Sequence, residues 1–156
     1  MEPKPIKCES NSRSVLTRDE YLRLLITARK TGRYRLYLLI KLFSLVDISI
    51  HTLNQVTVEA IKTGEIPGRK GKILSCPSFL QDELLEYAAT KGIHSGPIFV
   101  TRTGEPLDRS NIHRELKSIS KQAHIPSEKI NTRTLHDLYQ YTQIAVSEQA
   151  NILTKM

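Results

Sequence analysis

The sequence lacks several features that would assign it directly to a common class of protein. It contains no tryptophan, only two cysteines, and no apolar run near the ~20 residues that a membrane-spanning helix needs. Cys8 and Cys76 lie far apart and neither belongs to a CxxC pair, so we expect reduced thiols rather than a zinc ribbon or finger. The N-terminal residues carry no secretory signal. We therefore expect a cytoplasmic protein with no membrane partner.

Common catalytic and cofactor motifs are absent as well. The sequence has no Gly-rich phosphate loop of the GxxxxGK[ST] kind, no HExxH and no GxSxG. Five histidines are present but without metal-ligand spacing: His51, His94, His113, His124 and His136. We therefore expect no metal and no cofactor.

Length and charge allow one ordinary domain with a basic surface. The chain has 156 residues, of which 39% are apolar, and 23 Lys and Arg against 16 Asp and Glu give a formal net charge of +7. This length and apolar content are enough for a single hydrophobic core. The positive charge favours polyanionic partners, although many proteins of this charge bind none. Residues 1–14 are polar and aperiodic, so we predict a flexible leader or linker there and one domain at 15–156.

Capping residues and helical spacing predict a mostly helical chain. Thr17 and Glu20 form a capping box before the first helix, and residues 34–46 are apolar nearly all round, which indicates a helix buried at the centre of the core. A short helical piece is expected around 50–55. The predicted starts of the later helices are Ser78, with Gln81 completing a capping box, then Asp108 and the neighbourhood of Thr134.

Strand signals are few and short. Residues 56–61 alternate and are β-branched, which predicts a strand, and residues 73–76 follow after a basic, Gly-rich turn. A brief extended piece at 97–100 ends at a turn containing Thr103 and Gly104. The predicted fold class is α+β, mostly α: a helical domain with a small antiparallel sheet.

Four segments resemble, in order and spacing, the catalytic domain of the tyrosine recombinases, the phage-integrase family of DNA breaking and rejoining enzymes. They are residues 16–22, 56–60, 70–72 and 96–109. The last reads Gly-Pro-Ile-Phe-Val-Thr-Arg-Thr-Gly-Glu-Pro-Leu-Asp-Arg and is the most specific, because a strand, a Thr-rich Gly turn and a Pro-Leu-polar-Arg helix start follow one another as in the family. The resemblance implies the recombinase fold and a function in DNA integration and recombination, the chemistry of mobile elements.

The resemblance also implies where the first catalytic arginine would stand. In the family a tyrosine attacks a DNA phosphorus, two arginines and a histidine hold the phosphoryl oxygens, and a hairpin lysine protonates the leaving oxygen. Fixed cations and an acid are what this transition state needs. The first arginine position falls on Ser49, which supplies no cation, and Asp47 adds a negative charge beside it.

The remaining catalytic positions are preserved only in part. Lys70 matches the hairpin lysine, and Lys72 is a close second. In the second box Arg133 stands for the histidine and His136 for the arginine, and Asp137 replaces what is often a further histidine. A histidine is mostly neutral at pH 7, so the second exchange weakens phosphate binding.

The family's nucleophile is expected a few dozen residues beyond this second box, whereas the sequence ends at Met156. Tyr139 and Tyr141 lie too close to the box to take that role. The helical domain that precedes the catalytic domain in the family has no counterpart within residues 1–14. The resemblance therefore implies a truncated, degenerate catalytic domain that binds DNA without strand transfer.

The leading hypothesis is weak, salt-sensitive binding to DNA phosphates. Two alternatives stay open: a fragment of an active tyrosine recombinase whose nucleophile lies downstream, or an interaction module that docks onto an intact recombinase or a second copy. The cations expected to contact phosphate are Arg69, Lys70, Lys72, Arg102, Arg109 and Arg133, with Arg114, Lys117 and Lys121 as further candidates.

Overall fold

A computed structural model of the chain describes residues 15–46 and 48–138. The predicted leader at 1–14, Asp47 and the positions from 139 onward, including Tyr139 and Tyr141, lie outside the described residues. The elements in chain order are α1 (Arg18–Lys30), α2 (Tyr34–Leu45), a 3-10 helix (Ile50–Gln55), α3 (Val58–Thr63), β1 (Glu65–Pro67), a 3-10 turn (Arg69–Gly71), β2 (Ile73–Ser75), α4 (Ser78–Thr90), α5 (Arg109–Gln122), a third 3-10 segment (Ser127–Lys129) and the described part of α6 (132–138).

The N-terminal helix begins at the predicted capping box. The Glu20 amide donates to Thr17 Oγ1 at 3.2 Å, and the Thr17 amide donates back to Glu20 Oε1 at 3.0 Å. Two of the four backbone N–H groups in the first turn would otherwise lack partners, so this exchange stabilises the helix start. Helix α1 buries Leu24 and Ala28 and packs on α2 and α5.

The centre of the core is α2, as its continuous apolar sequence predicts. Leu39, Ile40 and Leu42 are fully buried, and Phe43 is nearly so. The helix also buries one hydroxyl, that of Ser44, which lies 2.6 Å from the hydroxyl of Tyr21 on α1. A buried hydroxyl without a partner would be costly, so this hydrogen bond makes the polar residue compatible with the core.

The predicted strand at 56–61 is wrong, because most of that segment is helix α3. Thr57 makes a single antiparallel bridge with Pro97, and its Oγ1 then accepts from the Ala60 amide at 3.0 Å as the N-cap of α3. A threonine that caps a following turn favours helix over strand, and this local hydrogen bond outweighs the β preference of the valines. Gly64, at φ +81°, ends the helix in the left-handed conformation.

The small antiparallel sheet is present, with its first strand later in the chain than predicted. Strands β1 and β2 pair antiparallel, with Ile66 opposite Leu74, and the basic turn joins them. Ile66 is fully buried, and β1 also packs on α3. The fold class, mostly helical with a small antiparallel sheet, is confirmed.

The predicted capping box of α4 is also wrong. Pro77, not Ser78, holds the cap position and has no capping side chain. Gln81 instead donates its side-chain amide to the Ile61 carbonyl at 2.7 Å, which ties α4 to the end of α3. A hydrogen bond to a distant carbonyl has replaced the local one that the spacing suggested.

Helices α5 and α6 have reciprocal caps at their starts. Asp108 accepts from the Asn111 amide at 2.8 Å, as predicted for α5. Helix α6 begins two residues before the predicted Thr134, since Asn131 accepts from the Thr134 amide at 2.9 Å and is the cap. Among the described helices, none is long and apolar enough to cross a membrane.

Candidate nucleic-acid interface

Ser49, at the position where the resemblance expects an arginine, serves as a helix cap. It precedes the first 3-10 helix, and its amide and hydroxyl both lie 3.4 Å from the Thr52 hydroxyl. Ser49 is half-buried and follows the buried Ile48. The side chain at this position therefore contributes a polar cap and no positive charge.

The hairpin between β1 and β2 carries the predicted lysines at its tip. Lys70 has φ +55° and ψ +37°, and Gly71 follows at φ +74°. The Gly68 amide donates to the Lys72 carbonyl at 2.7 Å and closes the turn. Lys70 and Lys72 are exposed, whereas the side chain of Arg69 lies outside what the structure describes.

The structure brings the hairpin and the Ser49 cap into neighbouring elements. Strand β1 packs against the 3-10 helix that Ser49 precedes. A phosphate held near Ser49 would therefore meet the base of the hairpin, whose tip holds two exposed lysines. The positive charge of this arrangement lies on the hairpin, and Ser49 adds none.

The second predicted box lies on α6. Arg133 and Asp137 are exposed, His136 is half-buried, and Leu135 and Leu138 belong to the hydrophobic core. The spacing of three places Arg133 and His136 side by side on the helix surface. Helical spacing in the sequence predicts that Leu135, Leu138, Thr142 and Ala145 face inward. Leu135 and Leu138 are buried as predicted, and Thr142 and Ala145 lie outside the described residues.

A further basic surface lies at the start of α5. Arg102 is exposed within a turn in which the Thr101 amide donates to the Glu105 carbonyl at 2.7 Å, and Arg109 is exposed after it. The first backbone amides of α5 add a partial positive charge beside Arg109. Of the further candidates Arg114 and Lys121 are exposed, but Lys117 is half-buried and donates to the Ser127 carbonyl. Lys117 is therefore bound within the fold rather than poised for phosphate.

Sequence reasoning assigned no role to Arg35, which the fold places at the edge of this basic surface. It starts α2, donates to the Val100 carbonyl at 2.8 Å and forms an ion pair with Glu115 of α5. The sequence signal was a cation at the start of an otherwise apolar helix. Its partners are 65 and 80 residues away, so spacing could not reveal them.

The thiol at Cys76 has no role at this interface. It is buried, and burial raises its pKa to about 11, so the thiol stays protonated at neutral pH. Cys8 lies outside the described residues. Within residues 15–46 and 48–138, no three His, Cys, Asp or Glu side chains cluster as metal ligands would.

The structure is similar to that of a solved recombinase. The crystal structure of XerA recombinase superposes with a TM-score of 0.68 at 20% sequence identity, over 80% of this chain and 47% of that chain. The fold is recombinase-like. This chain thus spans about half the length of the XerA recombinase that it matches. No protein-family model and no curated protein matches the sequence.

The likeness confirms the fold that the four sequence segments predicted. It does not bear on the assigned roles of Ser49, Lys70, Arg133 and His136, which stay predictions. The same holds for phosphate contacts by the exposed arginines and lysines.

Proposed function

We propose that this chain is a recombinase-like DNA-binding protein that holds duplex DNA by its phosphates and does not transfer strands. The observation that carries the proposal is the hairpin. In a recombinase-like fold it presents exposed Lys70 and Lys72 beside the element that Ser49 caps. Arg102 and Arg109 on the α5 side, and Arg133 on α6, add exposed positive charge.

Loss of strand transfer follows from the side chains at two positions. Ser49 caps a 3-10 helix and supplies no guanidinium, and His136 supplies an imidazole where the resemblance expects a second guanidinium. Removing one preorganised donor to a transition-state oxyanion typically lowers the rate by ~10²–10³. Two such losses leave the bound phosphate without the charge stabilisation that cleavage requires.

A salt titration on generic duplex DNA tests the binding proposal. Each phosphate contact contributes about 0.9 to the slope of log K against log salt concentration, so Lys70→Ala/Lys72→Ala should flatten the slope by about 1.8. Arg133→Ala should flatten it by about 0.9. The matched control is Arg18→Ala/Arg23→Ala, which removes the same charge from exposed positions on α1. No binding at low salt, or equal slopes for all variants, would contradict the proposal.

A nicked suicide substrate tests the proposed inactivity. Such a substrate traps a covalent protein–DNA link because the cleaved strand diffuses away. We expect no adduct with the chain described here. Any adduct resistant to denaturation would overturn the proposed inactivity and show that the chain itself carries an attacking residue.

Docking onto an intact recombinase or onto a second copy stays a prediction. Light scattering over a concentration series tests whether the protein associates with a second copy of itself. A monomer at every concentration would count against it.

A further inference from the structure

A groove away from the hairpin combines positive charge with exposed aromatic surface. An open cleft of about 860 Å³ lies between the end of α4, the turn at 101–104 and α5, and a second hollow of about 380 Å³ continues it along the start of α2. The two share Arg35, Tyr87, Lys91 and Glu115. We call the whole the basic groove, lined by Tyr34, Arg35, Tyr87, Lys91, Arg102 and Arg114.

The charge of the groove is unbalanced. Lys91, Arg102 and Arg114 are exposed, and the carboxylate in its described lining, Glu115, is ion-paired with Arg35. The three exposed cations therefore face an anion without competition from that carboxylate. Beyond Tyr34 a third hollow has a mixed lining, with Glu83 and Glu86 beside Arg29 and Lys91, so the excess of positive charge ends there.

The aromatic surface is accessible at Tyr34. Tyr34 is the first residue of α2 and is 51% exposed, so its ring can be reached from solvent. Tyr87 is half-buried, and Lys91 Nζ lies 6.0 Å from its ring centre, so one of its faces is partly covered. Tyr34 is thus the ring on which a planar group could stack.

Exposed cations that line one groove with an exposed aromatic ring suit a strand whose bases are unpaired. Single strands bind through a positive groove that follows the phosphates and aromatic side chains on which bases stack. Bases in a duplex stack on one another and leave no face for a tyrosine. We propose that the basic groove binds single-stranded nucleic acid, with phosphates on Lys91, Arg102 and Arg114 and a base on Tyr34.

This inference goes beyond duplex binding at the hairpin and can be tested apart from it. Arg102 belongs to both surfaces, so the test leaves it unchanged. The probe is a fluorescein-labelled, mixed-sequence single-stranded DNA of about 16 nucleotides, which is the largest number of nucleotides that one OB fold typically covers. Binding is followed by anisotropy against salt, and an RNA of the same sequence run in parallel shows whether the sugar matters.

Lys91→Ala/Arg114→Ala should flatten the slope of log K against log salt by about 1.4, since each phosphate contact on a single strand contributes about 0.7. Arg18→Ala/Arg23→Ala, the matched control, should keep the parent slope. The hairpin pair Lys70→Ala/Lys72→Ala should weaken duplex binding and leave single-strand binding unchanged. A parent-like slope for the groove pair, or the same loss in the control, would overturn the proposal.

The aromatic contact has its own readout. Tyr34→Ala should weaken single-strand binding about tenfold at an unchanged salt slope, and Tyr34→Phe should bind like the parent because the ring remains. Unfolding midpoints in urea verify that each variant is folded. Equal binding by Tyr34→Ala, or equal competition by duplex or by mononucleotide at the same nucleotide concentration, would refute the single-strand site.

Discussion

The interior around α2 and the hairpin tip at 69–72 are held in different ways. In the interior, Phe43 and Leu39 are almost fully buried, and the buried hydroxyl of Ser44 is paired with Tyr21. At the tip, exposed Lys70 and Lys72 sit on a turn closed by one backbone hydrogen bond. The stability of the fold therefore depends on the interior around α2. The charge of the hairpin tip, which is proposed to contact phosphate, can be changed without unfolding the protein.

The largest effect should come from emptying the interior. Phe43→Ala removes an almost completely buried ring, and such substitutions cost about 3–5 kcal/mol, a large part of the ~5–15 kcal/mol that stabilises a typical domain. Urea unfolding measures the loss. Phe79→Ala is the matched control, because Phe79 is 52% exposed and should cost less than about 1 kcal/mol. Equal costs would show that α2 is not the centre of the core.

The buried hydroxyl pair should show the next largest effect. Ser44→Ala leaves the Tyr21 hydroxyl in the interior without its partner at 2.6 Å, which should cost about 1–3 kcal/mol. Tyr21→Phe should cost less, because Ser44 Oγ can still donate to the Lys41 carbonyl at 3.2 Å. Combining the two substitutions in a double-mutant cycle should cost less than their sum. Additive costs would mean that the two hydroxyls are not coupled.

A smaller effect should appear as pH dependence at the start of α1. Burial opposes ionisation of Glu20, but hydrogen bonds from the Thr17 amide and from Lys129 outweigh it, so the pKa of this carboxyl is lowered from 4.5. A carboxyl with a lowered folded-state pKa stabilises the fold above pH 4.5 and loses that contribution as the pH falls through the folded value.

Replacing the carboxyl tests this sign. Glu20→Gln should be less stable than the parent at pH 7, and the difference should shrink at acidic pH. Urea unfolding at pH 7 and near pH 3 measures both. A constant difference would show that Glu20 ionisation does not contribute.

The smallest stability effect belongs to the hairpin tip. The left-handed backbone at Lys70 costs a non-glycine residue about 1–2 kcal/mol, and a glycine would avoid that cost. Part of this gain is offset because glycine has more conformational entropy to lose from the unfolded state. Lys70→Gly should therefore leave stability unchanged or raise it by up to about 1 kcal/mol. It should also flatten the duplex salt slope by about 0.9.

His124→Gly is the matched control for that substitution, since His124 is also exposed and left-handed, at φ +58°. It should give a similar change in stability and no change in the slope. Loss of stability in Lys70→Gly would show that the tip supports the fold after all. A flattened slope in both variants would remove the assignment of Lys70 to phosphate.

Sequence reasoning succeeded where both partners of an interaction lie within one turn. The caps of α1 and α5 could be predicted because the partners lie three residues apart: Thr17 with Glu20, and Asp108 with Asn111. It failed at Thr57, whose capping hydrogen bond competed with a β-branched pattern, and at Gln81, whose spacing suggested a box although its partner lies on α3. In both cases two local structures were compatible with the same residues.

The two candidate binding surfaces also differ in how far the sequence could predict them. The basic turn with Lys70 and Lys72 could be placed on a hairpin from its glycines and charges. The basic groove could not be predicted, since Tyr34, Lys91 and Arg114 meet only when α2, α4 and α5 pack together. Their separations in sequence carry no periodicity that would have marked them as neighbours.

By itself the sequence determined the starts of α1 and α5, the buried helix α2 and the recombinase-like order of segments. Hydrogen bonds between close neighbours and the amphipathic period require only the local chain. The tertiary structure alone decided which cations stay exposed and which are bound. Arg35 meets Glu115 and Val100, and Lys117 meets Ser127, because burial of the shared apolar core brings those chain segments together. Apolar burial is non-directional, so it does not by itself select which charged residues become neighbours. The packing of the helices makes that selection.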